Sequence, residues 1–197
     1  MPKRAVTLKG SCHCGQVSFS LKSNTIYPYQ RCYCSICRKT QGGGGYAINL
    51  GGEAKSMKVK GEDNISVYHA RVKNPEDKIA HRSGAQRHFC KLCGTALWLF
   101  DPSWPELIHP FSSCIDSKLP VPSETTHIML EFKAPWVVPQ IGKRDKKFKR
   151  YPKESIAELL REAGELVAIL SQSVITAKAN ANGTSNLKPN TSNLKTL

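Results

Sequence analysis

Three cysteines stand within six residues in "CYCSICRK" (32–39), and the glycine-rich run "QGGGG" (41–45) follows closely. An odd cluster of thiols cannot satisfy itself as disulfides. The eight cysteines of the sequence divide into Cys12 and Cys14 (C-x-C), Cys32, Cys34 and Cys37 (C-x-C-x-x-C), Cys90 and Cys93 (C-x-x-C-G) and a solitary Cys114. Residues i and i+2 of a strand share a face, so a C-x-C pair in a strand can aim both sulfurs at one ion. A C-x-x-C followed by glycine suits a turn whose two thiolates grip zinc while Gly94 takes a permissive backbone angle. One C-x-C and the C-x-x-C together make a closed, structural four-thiolate site. Three thiolates then remain, and three protein ligands with a vacant fourth position mark a catalytic zinc. Two zinc ions per chain are expected. Spacing alone does not say which C-x-C pairs with Cys90 and Cys93. Nor does it exclude Cys114 as a fourth ligand that closes the second site.

The elements that must position these thiols are mostly β. "GQVSFSLKS" alternates Val17, Phe19 and Leu21 with polar residues, the period of a half-buried strand. "YAINL", "MKVKG", "ISVYHA", "TALWLF" and "THIMLEF" read as further short strands punctuated by Gly, Pro and Asn. No long amphipathic helix is visible before residue 150. Beyond it, Ser155 and Glu158 form a capping box, and Ile156, Leu159, Leu160, Ala163, Leu166, Val167 and Leu170 fall at helical spacing. A C-terminal helix within 154–172 is therefore expected, docked on its own domain, with Gly164 weakening it by about 1 kcal/mol. Residues 173–197 are polar and low in complexity, the composition of a disordered tail.

The chain has 197 residues, 40% of them hydrophobic, enough for one packed domain with an appendage. No stretch approaches the roughly 20 apolar residues of a membrane span. The start "MPKRAVTLKG" has no apolar segment of the secretory kind, which points to a reducing, cytoplasmic setting where cysteines are thiols or metal ligands. The net charge is +14, and seven of the eleven residues of "KRDKKFKRYPK" (143–153) are Lys or Arg. That run reads either as a solvated basic linker or as a nuclear-localisation or nucleic-acid patch. Only Phe148 and Tyr151 interleave it, so base stacking has little support.

The blocks "GSCHCGQVSF", "CYCSICRK", "RHFCKLCGTAL" and "THIMLEFKAPW" resemble, in order and spacing, the signature blocks of glutathione-dependent formaldehyde-activating enzymes, a family that also includes centromere protein V. The resemblance covers residues 8–153. It implies a zinc-binding β-tent fold of antiparallel sheets, with a structural zinc joining two distant hairpins. It also implies the ligand sets: Cys12, Cys14, Cys90 and Cys93 for the structural zinc, and Cys32, Cys34 and Cys37 for the catalytic one. The sequence departs from the family pattern at Tyr33, where members often carry His, at Cys114, where they usually carry a small residue, and in the extension past residue 153.

A zinc with three thiolates carries a formal charge of −1, which suits it less to making hydroxide than to holding a substrate thiol, ionised but still nucleophilic. Glutathione held in this way can attack formaldehyde to give S-(hydroxymethyl)glutathione, and the reverse step makes the chain a carbon–sulfur lyase. The two carboxylates of glutathione need cations, for which Arg38, Lys39 and Arg87 are the candidates. Ser35 is either a hydrogen-bond donor to a zinc-bound sulfur or a turn serine. His13 is expected to point away from the metal. His127 reads as a satisfied core histidine, with proton shuttling as the alternative role, and Trp136 reads as core. "QGGGG" either lets backbone approach a ligand or makes a loose hairpin turn, and lacks the context of a phosphate loop. A non-enzymatic, chromatin-associated scaffold using the basic run is the rival to the enzyme.

Overall fold

The computed structural model describes residues 5–23, 29–41, 43–73 and 78–152. The expected C-terminal helix and tail lie outside them. The chain opens on the hairpin of β1 (Val6–Ser11) and β2 (Ser18–Ser23). A short strand, β3 (Tyr29–Cys32), then leads into the helix α1 (Ser35–Gln41). There follow β4 (Ala47–Asn49), β5 (Gly52–Glu53), β6 (Lys58–Lys60), β7 (Ile65–Tyr68), β8 (Arg71–Val72) and β9 (His81–Arg82). The last strands are β10 (Gln86–Cys90), β11 (Ala96–Phe100), β12 (Leu107–Pro110), β13 (Thr125–Ile128) and β14 (Lys146–Lys147).

These strands form a mainly β architecture of several small sheets. Their orders are β1-β2-β6, β5-β12-β11-β10-β7, β14-β13-β3-β4 and the ribbon β8-β9. Pairing is antiparallel throughout except at β13, which runs parallel to both β3 and β14. The alternation in β2 holds: Val17, Phe19 and Leu21 are buried. They join Leu8, Leu50, Leu97, Trp98, Ile108, Phe111 and Ile128 in one core. Phe19 meets Trp98 edge to face at 5.2 Å. Each such side chain contributes about 1.5–3 kcal/mol by leaving water. The sheets are short, so this core is modest and cross-links between hairpins carry weight.

Two expectations are corrected here. The basic run is not a solvated linker, because its chain is zipped to the segment after β13. Phe148 N–H donates to the His127 carbonyl at 2.8 Å, and Met129, Leu130 and Glu131 donate to the carbonyls of Arg150, Phe148 and Lys149. One apolar residue, Phe148, packs against the core and fixes the register. Trp136, expected in the core, is 63% exposed. It covers backbone instead: a side chain at Gly45 would overlap Val137 and crowd the Trp136 ring. Gly45 of the "QGGGG" run is thus packed against the protein's own residues.

Candidate metal centres and the cavity beside them

The seven clustered cysteines converge into two groups, each with its sulfurs within 4.8 Å of one another: Cys12, Cys14, Cys90 and Cys93, and Cys32, Cys34 and Cys37. The pairing left open by spacing is therefore visible, and each group could hold a metal ion. All eight cysteines are free thiols.

The four-sulfur group is built from two hairpin turns. The C-x-C pair sits in the β1–β2 turn rather than in a strand, as expected from its spacing, because Gly15 at φ +75° closes the turn immediately after it. Gly15 N–H returns to the Cys12 carbonyl at 3.0 Å, and Gly94, also at φ +75°, returns to that of Cys90 at 2.8 Å. A β-carbon is costly at this backbone angle, which explains both glycines. Val17 N–H donates to Cys12 Sγ at 3.2 Å, and His13 N–H ties one turn to the other through Thr95 Oγ1 at 3.1 Å. The His13 side chain is exposed. Cys12 Sγ lies 3.4 Å from Cys14 Sγ, which lies 3.7 Å from Cys90 Sγ. The Thr95 hydroxyl, its largest influence, helps bring Cys93 down to about 5.

The three-sulfur group straddles the end of β3 and the start of α1. Cys34 caps the helix: its carbonyl accepts from Arg38 N–H at 3.0 Å, and its Sγ accepts from Cys37 N–H at 3.4 Å, in the manner of a capping oxygen. Hydrogen bonds from the Cys32 and Cys37 thiols hold Cys34 down to about 2, and the same contacts, with burial, push Cys32 up. Cys114 belongs to neither group. It is buried, donates to the carbonyls of Leu97 and Phe111 at 3.1 and 3.2 Å, and is pushed up to about 12 by burial.

Cys32 and Cys37 are buried, whereas Cys34 is half-exposed and opens on a cavity of about 650 Å³. Ile36, Val72, Met129 and Phe132 supply its apolar wall. Ser35, the exposed first residue of α1, and Tyr151 supply hydroxyls. Three cations, Arg71, Lys73 and Arg150, also line it, and among the described residues no carboxylate does. Sequence reasoning missed all three because they come from segments far apart in the chain. Of the cations it did name, Arg38 and Lys39 lie in α1 and Arg87 in β10, and none lines the cavity. Arg87 is nevertheless near enough for its charge to favour ionisation of Cys37 and Tyr151. Tyr151 itself is pushed up to about 12, first by burial and then by the charges of Cys32, Cys34 and Cys37.

Behind the three-sulfur loop lies a buried polar array. Tyr33 and His127 are both fully buried, with rings stacked at 5.7 Å. The Tyr33 phenol, held protonated by burial, donates to His127 Nδ1 at 2.8 Å. His127 Nε2–H then faces Asp145 Oδ2 at 3.3 Å, and Asp145 also accepts from the Thr125 and Gly142 amides. His127 is thus a satisfied core histidine, and this arrangement assigns its proton to Nε2. Burial is the largest influence on His127 and on His109, and both are lowered. Since the unfolded imidazole has a pKa near ~6.5, the unfolded chain binds more protons below that value, so the stability is present above it and lost as pH falls. The denaturation midpoint in excess zinc is therefore expected to fall between pH 7 and pH 5.5, with a smaller fall in His127→Asn. An unchanged midpoint across that window would contradict a buried neutral imidazole.

A mainly β domain in which a four-thiol group links two hairpins and a three-thiol group faces a basic cavity defines a class of protein whose cysteine groups could hold metal ions. The family model described as glutathione-dependent formaldehyde-activating enzyme matches residues 7–130, and the chain belongs to that family. It is 54% identical over 151 residues to a Halomonas elongata protein named "Putative glutathione-dependent formaldehyde-activating enzyme", covering 77% of this chain and 92% of that one. A crystal structure of a Rhodobacter sphaeroides protein is similar at 25% identity and a TM-score of 0.44, over 57% of this chain and 91% of that one. Among the described residues no helix is long and apolar enough to cross a membrane.

Proposed function

We propose that the chain is a zinc-dependent carbon–sulfur lyase of the S-(hydroxymethyl)glutathione synthase kind. It joins glutathione or a similar thiol to formaldehyde or a related aldehyde, and cleaves the adduct in reverse. The observation that carries this reading is the difference between the two cysteine groups. One has four sulfurs; the other has three, and only Cys34 of these meets the cavity. The donors fit zinc. Sulfur separations of 3.4 and 3.7 Å lie near the edge of about 3.8 Å of a tetrahedron with Zn–S bonds of about 2.3 Å. They are far from a disulfide bond of about 2.05 Å. Free thiols throughout suit a reducing compartment such as the cytoplasm.

Zinc held by Cys12, Cys14, Cys90 and Cys93 would be structural, and zinc held by Cys32, Cys34 and Cys37 would supply an open position at which a substrate thiol ionises. The rest falls to the chain's own residues. Cys34 fixes the end of the cavity at which the thiol sulfur arrives. Arg71 and Lys73 receive carboxylates, with Arg150, already paired with Glu131, and Arg87 in β10 adding positive potential. The apolar wall excludes water beside the reacting carbon.

The nucleic-acid reading rests on charge. Within the basic run Phe148 packs against the core and Tyr151 lines the cavity, so the two aromatics that might stack on bases are already engaged. The enzyme reading is tested by calorimetry of glutathione binding to the zinc-loaded full chain in buffers of different ionisation enthalpy. Release of one proton per thiol is expected, with affinity that falls with salt and drops about tenfold in Arg71→Ala or Lys73→Ala. Arg38→Ala, Lys39→Ala and Arg87→Ala measured alongside apportion the carboxylates between α1, β10 and the cavity wall. No glutathione binding by the zinc-loaded protein would sink the reading.

A further inference from the structure

We propose that Tyr151 is a catalytic residue, its phenol donating to the aldehyde oxygen and giving it a proton as the carbon–sulfur bond forms. This rests on the lyase reading above and adds a residue that neither the cysteine motifs nor the family blocks point to.

The first support is position. Tyr151 lines the same cavity as Cys34, so an aldehyde carbon approaching a thiol at Cys34 presents its oxygen within that shared space. Of the other polar groups in the lining, Ser35 is a far weaker acid than a phenol, and Arg71, Lys73 and Arg150 are cations that hold their protons more tightly still.

The second support is the way the residue is held. Its neighbour Arg150 is fixed three times: its carbonyl accepts from Met129 N–H at 3.1 Å, its guanidinium pairs with Glu131, and that same group lies over the Phe132 ring at 5.7 Å. These clamps set the backbone one residue before Tyr151. The first of them is made by Met129, which at φ +60° is the single non-glycine residue with positive φ among the described residues and itself lines the cavity. A left-handed methionine is a costly backbone state, and such states cluster at working sites.

The step balances. The thiol loses its proton on ionising. The thiolate sulfur then bonds to the carbonyl carbon, and the π pair of the C=O bond moves to oxygen. That oxygen takes the phenolic proton of Tyr151. The phenolate recovers through solvent the proton the thiol gave up, so thiol plus aldehyde yields the S-hydroxymethyl adduct with nothing oxidised or reduced. In reverse, the phenolate removes the adduct's hydroxyl proton as the bond breaks.

The test uses full-length, zinc-loaded protein and its Tyr151→Phe variant, which keeps the ring and loses only the hydroxyl. NMR exchange spectroscopy on glutathione with formaldehyde is expected to show adduct exchange falling about 10²-fold in the variant, the ordinary lower range for a general acid. Glutathione affinity by calorimetry and zinc content should stay within about twofold. A second readout does not depend on rate, because the adduct also forms without enzyme. In protein labelled with ¹³C at tyrosine Cζ, the Tyr151 resonance, identified by its loss in the variant, should shift when glutathione and formaldehyde are added together and not with glutathione alone. Exchange in the variant equal to wild type, or a Cζ resonance indifferent to the adduct, overturns the role of Tyr151 while leaving the lyase reading intact. Wild-type protein that neither binds glutathione nor accelerates exchange overturns both.

Discussion

Cys93→Ser is expected to cost the chain most of its stability, although Cys93 is exposed and serine leaves no buried void. The reason is the metal. A structural zinc bound only by the folded chain adds its binding free energy to folding, about 10–16 kcal/mol in small zinc domains, whereas whole domains are stable by only about 5–15 kcal/mol. Apart from contacts of the cysteines themselves, the β1–β2 and β10–β11 turns are tied by the hydrogen bond from His13 N–H to Thr95 Oγ1. Removing one thiolate of four weakens the site enough to lose the ion and release the two hairpins. A melting temperature lower by more than about 15 °C is predicted, together with loss of one zinc. Cys90→Ser should do the same, but Cys90 is fully buried, so packing contributes there and Cys93 separates metal from packing. A Cys93→Ser protein that melts like wild type would remove the structural zinc from the account.

Cys34→Ser is expected to do the reverse: abolish catalysis down to the uncatalysed background and spare the fold. Serine is among the best helix N-caps, so it should keep the role that Cys34 plays for α1. The helix cap itself should change stability by no more than about 1 kcal/mol, so any larger loss reports what the second zinc contributes to folding, while the four-thiol site that joins the hairpins stays intact. Zinc content should fall from two to one, since two buried thiolates and a hydroxyl make a poor site. Thermal melts and exchange spectroscopy on the same sample check both halves. If Cys34→Ser unfolds while Cys93→Ser folds and works, the structural and catalytic assignments are interchanged.

What could be read from the sequence follows from where information is local. Cysteine identity and spacing are local, and so is the alternation that puts Phe19 and Leu21 inside. The division of the cysteines into clusters was therefore legible before any coordinates, and so were β2, β4, β6, β7, β11 and β13, whereas which C-x-C joins Cys90 and Cys93 was implied only by the family resemblance. The short helix α1 was not. At seven residues it shows barely two turns, and its cap is a cysteine rather than Ser, Thr, Asp or Asn. Parallel pairing of β13 with β3 and β14 leaves no pattern in either partner, since both registers depend on segments far apart. The same holds for the cavity wall, where Arg71, Lys73 and Arg150 meet only after folding. In the basic run the charges concealed one apolar residue, Phe148, which was the available signal that the segment belongs to the core. Trp136 misled because its type suggests burial, while glycine backbone gave it a surface to cover instead.

The central claim is that one chain holds two zinc ions in unlike thiolate sites, one closed and one open. X-ray absorption at the zinc edge, with metal analysis on the full-length protein, tests it most directly. The account predicts two zincs per chain, four sulfurs at one and three sulfurs with a lighter atom at the other, and a gain of one sulfur at the second when glutathione is added. Four sulfurs at both zincs without added thiol would mean that the second site is closed, and one zinc or none would mean that the cysteine groups do not hold the metals assigned to them; either result would contradict it.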